Sequence, residues 1–180
     1  MRKILITSAL PYANGPIHLG HLMSTYLPAD VYARFCRMKG YDALYVCASD
    51  EHGAPIEINA AKAGKTPMEF VAQWHEKHGQ DFAAAGVEFD EFYHTHSPEG
   101  EEFAKLFFEE HEKKGVIYKK QVMQTYCEKC SRFLPDRYVK GICPFCKAQD
   151  QYGDGCEKCG KVYQTTQLEN PKCALCSSTP

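Results

Sequence analysis

His18 and His21 stand three residues apart in Pro11-Tyr12-Ala13-Asn14-Gly15-Pro16-Ile17-His18-Leu19-Gly20-His21. At the start of a helix, that spacing turns both imidazoles the same way. A helix N-terminus also presents free N–H groups and the positive end of its dipole, which favours anions such as phosphate. Gly20 removes a side chain where a ligand could lie against the backbone. With no third ligand nearby in sequence, a zinc role for these two histidines is weakly supported. Asp50, in Ser49-Asp50-Glu51-His52-Gly53, is a carboxylate suited to a cationic group. It is equally suited to the positive end of a helix opening at Pro55.

The second chemical signal is sulfur. Of ten cysteines, only Cys36 and Cys47 precede residue 120. The other eight form the pairs Cys127/Cys130, Cys143/Cys146, Cys156/Cys159 and Cys173/Cys176, each Cys-x-x-Cys. Two tetrahedral four-cysteine zinc sites would use all eight. Spacing alone leaves three pairings open. Closed all-thiolate sites keep no position for substrate, so such zinc is structural. A disulfide framework would require an oxidising compartment. The apolar run Ile4-Leu5-Ile6 is too short for a signal segment, and no stretch approaches the ~20 apolar residues of a membrane span. The chain therefore reads as cytoplasmic, with no membrane partner and with thiols as metal ligands.

These residues need elements to hold them. Lys3–Ser8 reads as a buried strand of a parallel sheet, and Tyr41–Ala48 as a second. Between them the pattern predicts a long helix from about Ile17 to Met38, kinked or split at Pro28, with Gly40 past its end. That is a βαβ unit, and its loops lie at the carboxyl edge of the sheet, where α/β ligands bind. A helix from about Pro55 to Ala63 follows. Thr66-Pro67-Met68-Glu69 then opens another helix with a capping box, turning Phe70, Val71, Trp74 and Phe82 to a core. Ser97-Pro98-Glu99 opens a last helix, to about Lys114, with Phe103, Leu106, Phe107 and His111 on one face.

After Tyr118, glycine, cysteine and lysine rise and helical periodicity ends. The expected fold class is α/β: a Rossmann-like parallel sheet with a small zinc-knuckle insertion. The expected domains are 1–115, nucleotide-binding, and 116–180, zinc-binding. A formal net charge of −2 argues against a broadly basic surface that coats nucleic acid.

His18-Leu19-Gly20-His21 resembles the His-Ile-Gly-His signature of class I aminoacyl-tRNA synthetases. Ala9–Gly15 and Cys47-Ala48-Ser49-Asp50-Glu51-His52-Gly53 resemble the methionyl family specifically, as do Leu134-Pro135-Asp136-Arg137 and Cys143-Pro144-Phe145-Cys146. The resemblance covers essentially the whole chain, as the first half of such a catalytic domain. It implies an ATP-dependent ligase of protein synthesis that forms methionyl-adenylate and passes the methionyl group to tRNA(Met). It implies His18 and His21 as catalytic donors to phosphoryl oxygens, and Asn14, His18, Gly20 and His21 on ATP, which enters with magnesium. It implies Leu10 and Tyr12 around the methionine side chain and Asp50 on its ammonium group. For the thiols it favours a nested pairing: Cys143, Cys146, Cys156 and Cys159 in one zinc site, Cys127, Cys130, Cys173 and Cys176 in a second. His52, His94 and His96 receive no role.

The second class I signature, lysine-methionine-serine-lysine-serine, does not occur in the 180 residues. The expectation is a partial active site, inactive alone. Two other readings compete. Nucleotidylyltransferases share His-x-Gly-His but lack the cysteine knuckles. A non-catalytic zinc module that binds RNA would use lysines and arginines such as Lys129, Arg132 and Lys140.

Overall fold

Ile4 and Ile6 are β-branched residues in a three-residue apolar run at the centre of the five-residue first strand, β1 (Lys3–Thr7). The structure is a computed structural model that describes residues 1–180. β1 pairs in parallel with β2 (Asp42–Ser49), and β2 pairs in parallel with β3 (Glu91–His94), giving the order β1-β2-β3. In register, Leu5 faces Leu44 and Val46 faces Glu91.

The crossover from β1 to β2 is helical but not uniform. It begins as a single turn, α1 (Leu19–His21), widens into a π-helical turn over Leu22–Tyr26, and continues as α2 (Leu27–Met38). Sequence predicted a start at Ile17 and a break at Pro28. Pro28 lies in the first turn of α2, directly after a wider turn, and the helix runs on through it. The irregularity falls just upstream, where the Leu27 N–H reaches back five residues to the Leu22 carbonyl. The wider turn relieves the crowding of a proline ring against the preceding turn.

α3 (Ala54–Lys62), α4 (Pro67–Ala84) and α5 (Pro98–Lys113) follow. Thr66 caps α4 as its sequence requires. Its hydroxyl accepts from the Glu69 N–H at 3.2 Å, and the Glu69 carboxylate accepts from the Thr66 N–H at 2.9 Å. α2 and α4 cover one side of the sheet, around Tyr26, Ala33, Cys36, Tyr45, Cys47 and Phe82. A smaller cluster joins Ala13, Ile56, Phe70 and Val71, with Trp74 packed against it.

Two expectations need correction. β1 was expected as a buried strand, yet only Ile6 is buried and Leu5 is 67% exposed, because helices cover one side of the sheet alone. α5 buries none of its residues: Phe103, Leu106 and Phe107 share a face that stays open to solvent. No helix is long and apolar enough to cross a membrane.

The chain divides into two compact units, Met1–Lys114 and Gly115–Pro180. The second unit has short elements. β4 (Tyr126–Cys127) and β5 (Arg132–Phe133) form a hairpin, and β6 (Val139–Ile142) is central between β7 (Gln151–Tyr152) and β8 (Glu169–Cys173), all antiparallel. Leu134, Tyr138 and Val139 are its largest fully buried side chains, beside Cys127, Cys143 and Cys173.

Candidate functional site

At the carboxyl end of β1 the chain enters a loop that is fastened to the end of β2. The Ala13 N–H donates to the Asp50 carbonyl at 2.8 Å, and the Asp50 N–H donates to the Pro11 carbonyl at 2.8 Å. The loop carrying the histidine motif and the loop carrying Asp50 are thus held side by side by backbone bonds. Tyr12 lies across Gly53, whose φ of +120° only glycine adopts readily and where an added Cβ would sit 2.9 Å from the Tyr12 hydroxyl. Burial first, then the nearby Asp50 carboxylate, raises the Tyr12 phenol above its ordinary value. Asn14 is oriented by α3: its Oδ1 accepts from the Asn59 amide at 2.7 Å.

The first loop, the start of the crossover helix and α4 enclose a cleft of about 400 Å³, lined by residues including Leu10, Tyr12, Asn14, Gly15, His21 and His78. The structure thus brings together Leu10, Tyr12, Asn14 and His21. His18 and Asp50 are not among the lining residues. Asp50 joins this group through its backbone pairing with the loop, and His18 through contact with His21.

That contact fixes the chemistry of both imidazoles. His18 is the N-cap of α1. Its Nδ1 accepts from the His21 N–H at 3.4 Å, and the His21 Nδ1 accepts from the His18 N–H at 3.3 Å. The rings stack with centroids 3.6 Å apart. A nitrogen that accepts carries no proton, so the neutral rings hold their protons on Nε2. Two Nε2–H donors are left on exposed edges, pointing away from the capping bonds. Gly20 serves this arrangement directly: an added Cβ would lie 2.9 Å from the His18 ring.

In the second unit the eight thiols gather as two groups of four. Cys127, Cys130, Cys173 and Cys176 form one, and Cys143, Cys146, Cys156 and Cys159 the other, with the sulfurs of each group within 4.8 Å of one another. Close pairs are Cys127–Cys176 at 3.6 Å, Cys130–Cys173 at 3.9 Å, Cys143–Cys159 at 3.9 Å and Cys146–Cys156 at 3.5 Å. These are far longer than a disulfide bond of about 2.05 Å. They suit a tetrahedral metal: zinc–sulfur bonds of about 2.3 Å put sulfurs about 3.8 Å apart. Each Cys-x-x-Cys closes on a left-handed residue directly after its second cysteine: Ser131, Lys147, Gly160 and Ser177, with φ of 50°, 60°, 70° and 60°. Three of the four are not glycine, so three of the knuckles carry a local strain. The Ser178 hydroxyl, 2.9 Å from Cys176, holds that thiol down to about 6, while the hydrogen bond to Cys176 first, then burial, pushes Cys130 up to about 12. Four thiols this close resist full ionisation unless a cation joins them.

The family model described as tRNA synthetases class I (M) matches residues 4–180. The chain belongs to that family. It is 53% identical over 178 residues to a methionine--tRNA ligase of Myxococcus xanthus, covering 99% of this chain and 25% of that ligase. It is 52% identical over 180 residues to a methionine--tRNA ligase of Methanobrevibacter smithii, covering 100% of this chain and 27% of that one. It therefore spans about a quarter of the length of these relatives. In fold it is similar to a Mycobacterium tuberculosis methionyl-tRNA synthetase solved with methionyl-adenylate, with a TM-score of 0.68 and 24% identity over 84% of this chain and 31% of that one. A leucyl enzyme from Agrobacterium radiobacter, solved with tRNA, gives a TM-score of 0.65 at 23% identity over 84% of this chain and 20% of that one. The Rossmann-like α/β reading and the methionyl-tRNA synthetase resemblance both hold.

One group in this synthetase chain contains His94, which sequence left without a role. The Glu51 side chain is 2% exposed, and its carboxylate takes the His94 Nδ1 at 2.8 Å and the His96 N–H at 3.3 Å. His75, from α4, lies 4.0 Å from the same carboxylate, bonds Ser49 Oγ at 2.7 Å, and meets the His94 ring at 3.7 Å. Burial first, then His94, holds the His75 imidazole below its ordinary value. Ligand atoms of Glu51, His75 and His94 lie within 4.8 Å of one another, but both imidazoles are near face to face and already hydrogen-bonded. The group ties the ends of β2 and β3 to α4, immediately beside Asp50. Only β3 makes it visible, and that strand is too short and polar to be read from its residues.

Proposed function

We propose that this chain carries part of the active site of an ATP-dependent methionine–tRNA ligase, which activates methionine to methionyl-adenylate and transfers it to tRNA(Met) in the cytoplasm. The observation that carries the reading is the pair of stacked histidines whose Nε2–H edges are free, on a loop bonded through its backbone to Asp50. In methionine activation, a carboxylate oxygen of methionine attacks the α-phosphorus of ATP. A new P–O bond forms as the bond to pyrophosphate breaks, and negative charge concentrates on the phosphoryl oxygens. Two fixed N–H donors suit that charge, with no proton transfer needed from the already ionised methionine carboxylate.

In this reading His18 and His21 are the donors. Asn14, held by Asn59, and the backbone at Gly20 face the nucleotide, which enters as its magnesium complex. Leu10 and Tyr12 give the thioether an aliphatic and an aromatic wall, which suits a soft apolar group. Asp50 pairs with the α-ammonium group. In the second unit the two cysteine groups are the zinc ligands, closed sites that supply folding energy and no catalysis.

Calorimetric titration with a non-hydrolysable methionyl-adenylate mimic tests the proposal. Wild type should bind, and Asp50→Ala and His21→Ala should each bind at least about tenfold more weakly, the scale of one charged hydrogen bond. Equal affinity in all three would refute the assignment.

A further inference from the structure

We infer that His78 is a positioning residue for the nucleotide side of the cleft: its imidazole holds the Gly15 carbonyl, and through it the turn that carries Asn14 and leads to His18. The inference rests on the functional reading above and names a residue outside the signature motifs.

His78 projects from α4 and is 1% exposed, yet it lines the cleft. Its Nε2 is 2.8 Å from the Gly15 carbonyl. A carbonyl only accepts, so Nε2 carries a proton and donates it. Nδ1 is buried and has no hydrogen-bond partner in the protein. The ring's single polar contact is therefore the loop. A core position that asked only for volume would be filled better by an apolar side chain, since a half-used polar ring is costly to bury. The loop explains the cost. Gly15 has the freest backbone in the segment, and Pro16 has no N–H to donate. Asn14 has a backbone bond of its own, its N–H donating to the Tyr12 carbonyl at 2.7 Å, and the side chains that hold the segment come from elsewhere. Two helices supply them, acting on consecutive residues: Asn59 of α3 holds Asn14, and His78 of α4 holds Gly15. Burial, the largest influence on His78, holds the imidazole below its ordinary value. The Gly15 bond and Asp81 oppose that, while His21 and Lys77 reinforce it.

The test compares His78→Gln, whose amide nitrogen reaches as far as Nε2, with His78→Leu and His78→Phe, which fill space and lose the donor. Amide exchange at Gly15, Ile17 and His18 is followed by NMR, and binding of AMP and of methionine by calorimetry. In His78→Leu and His78→Phe the loop amides should exchange about tenfold faster, and AMP affinity should fall by a similar factor with methionine affinity little changed. His78→Gln should resemble wild type in both. The inference is overturned if the apolar variants leave loop exchange and AMP binding unchanged. It is also overturned if all three variants lose both together with the thermal midpoint, which is simple loss of packing. If wild type binds neither probe, the functional reading fails, while the loop exchange still decides what His78 does.

Discussion

Met1–Lys114 and Gly115–Pro180 are both compact, but by different physics. The first unit buries large side chains, among them Tyr26, Tyr45 and Phe82, between a sheet and two helices. The second has strands of two to five residues, and half its largest fully buried side chains are cysteines. One unit is held by apolar area removed from water. The other is held by the closure of four knuckles, each with a left-handed residue at its end. A scaffold that must present Nε2–H donors to within a fraction of an ångström uses the first design. A segment of short strands with few apolar residues can reach a unique shape through the second.

The largest way to break this comparison is to remove metal. A strong chelator should unfold residues 115–180 and leave 1–114 folded, because zinc binding contributes on the order of 10 kcal/mol per site. Hydrogen exchange resolved along the chain would show protection lost in the second unit alone. The reverse experiment is Phe82→Ala. Phe82 is 1% exposed, so the substitution should cost the first unit about 3–5 kcal/mol while leaving metal content the same as in wild type, read by thermal melting and elemental analysis. Thr66→Ala removes the α4 cap and should cost about 1 kcal/mol, again in the first unit only.

Acid should sharpen the contrast further, with the smallest effect. His75 and His78 are held below their ordinary value by burial. Unfolded histidine takes up protons below pH of about 6.5, where the folded rings resist. The unfolded state then binds more protons, so stability is full above that value and declines as pH falls towards the lowered folded values. Melting of the first unit should drop as pH falls below about 6.5, and His78→Leu should reduce the drop.

Much of this was legible in the residues. Thr66, Pro67 and Glu69 announced the start of α4, and His18 with His21 announced a helix N-terminus, because capping is decided within one turn. The Cys-x-x-Cys pairs announced metal but not which pairs combine; the grouping depends on β6 bridging β7 and β8, a nonlocal fact. The bare side of the sheet at Leu5 and the open face of α5 read as core because periodicity reports an apolar face, not what covers it. The Glu51–His75–His94 group arises from tertiary packing that no short window contains.

The central claim is that the ligand site belongs to the first unit, at the loops after β1 and β2. Backbone amide shifts on adding the methionyl-adenylate mimic test it most directly. The account predicts changes at Leu10–His21 and Asp50–Gly53, with residues 115–180 unmoved. Shifts confined to 115–180, or none at the two loops, would contradict it.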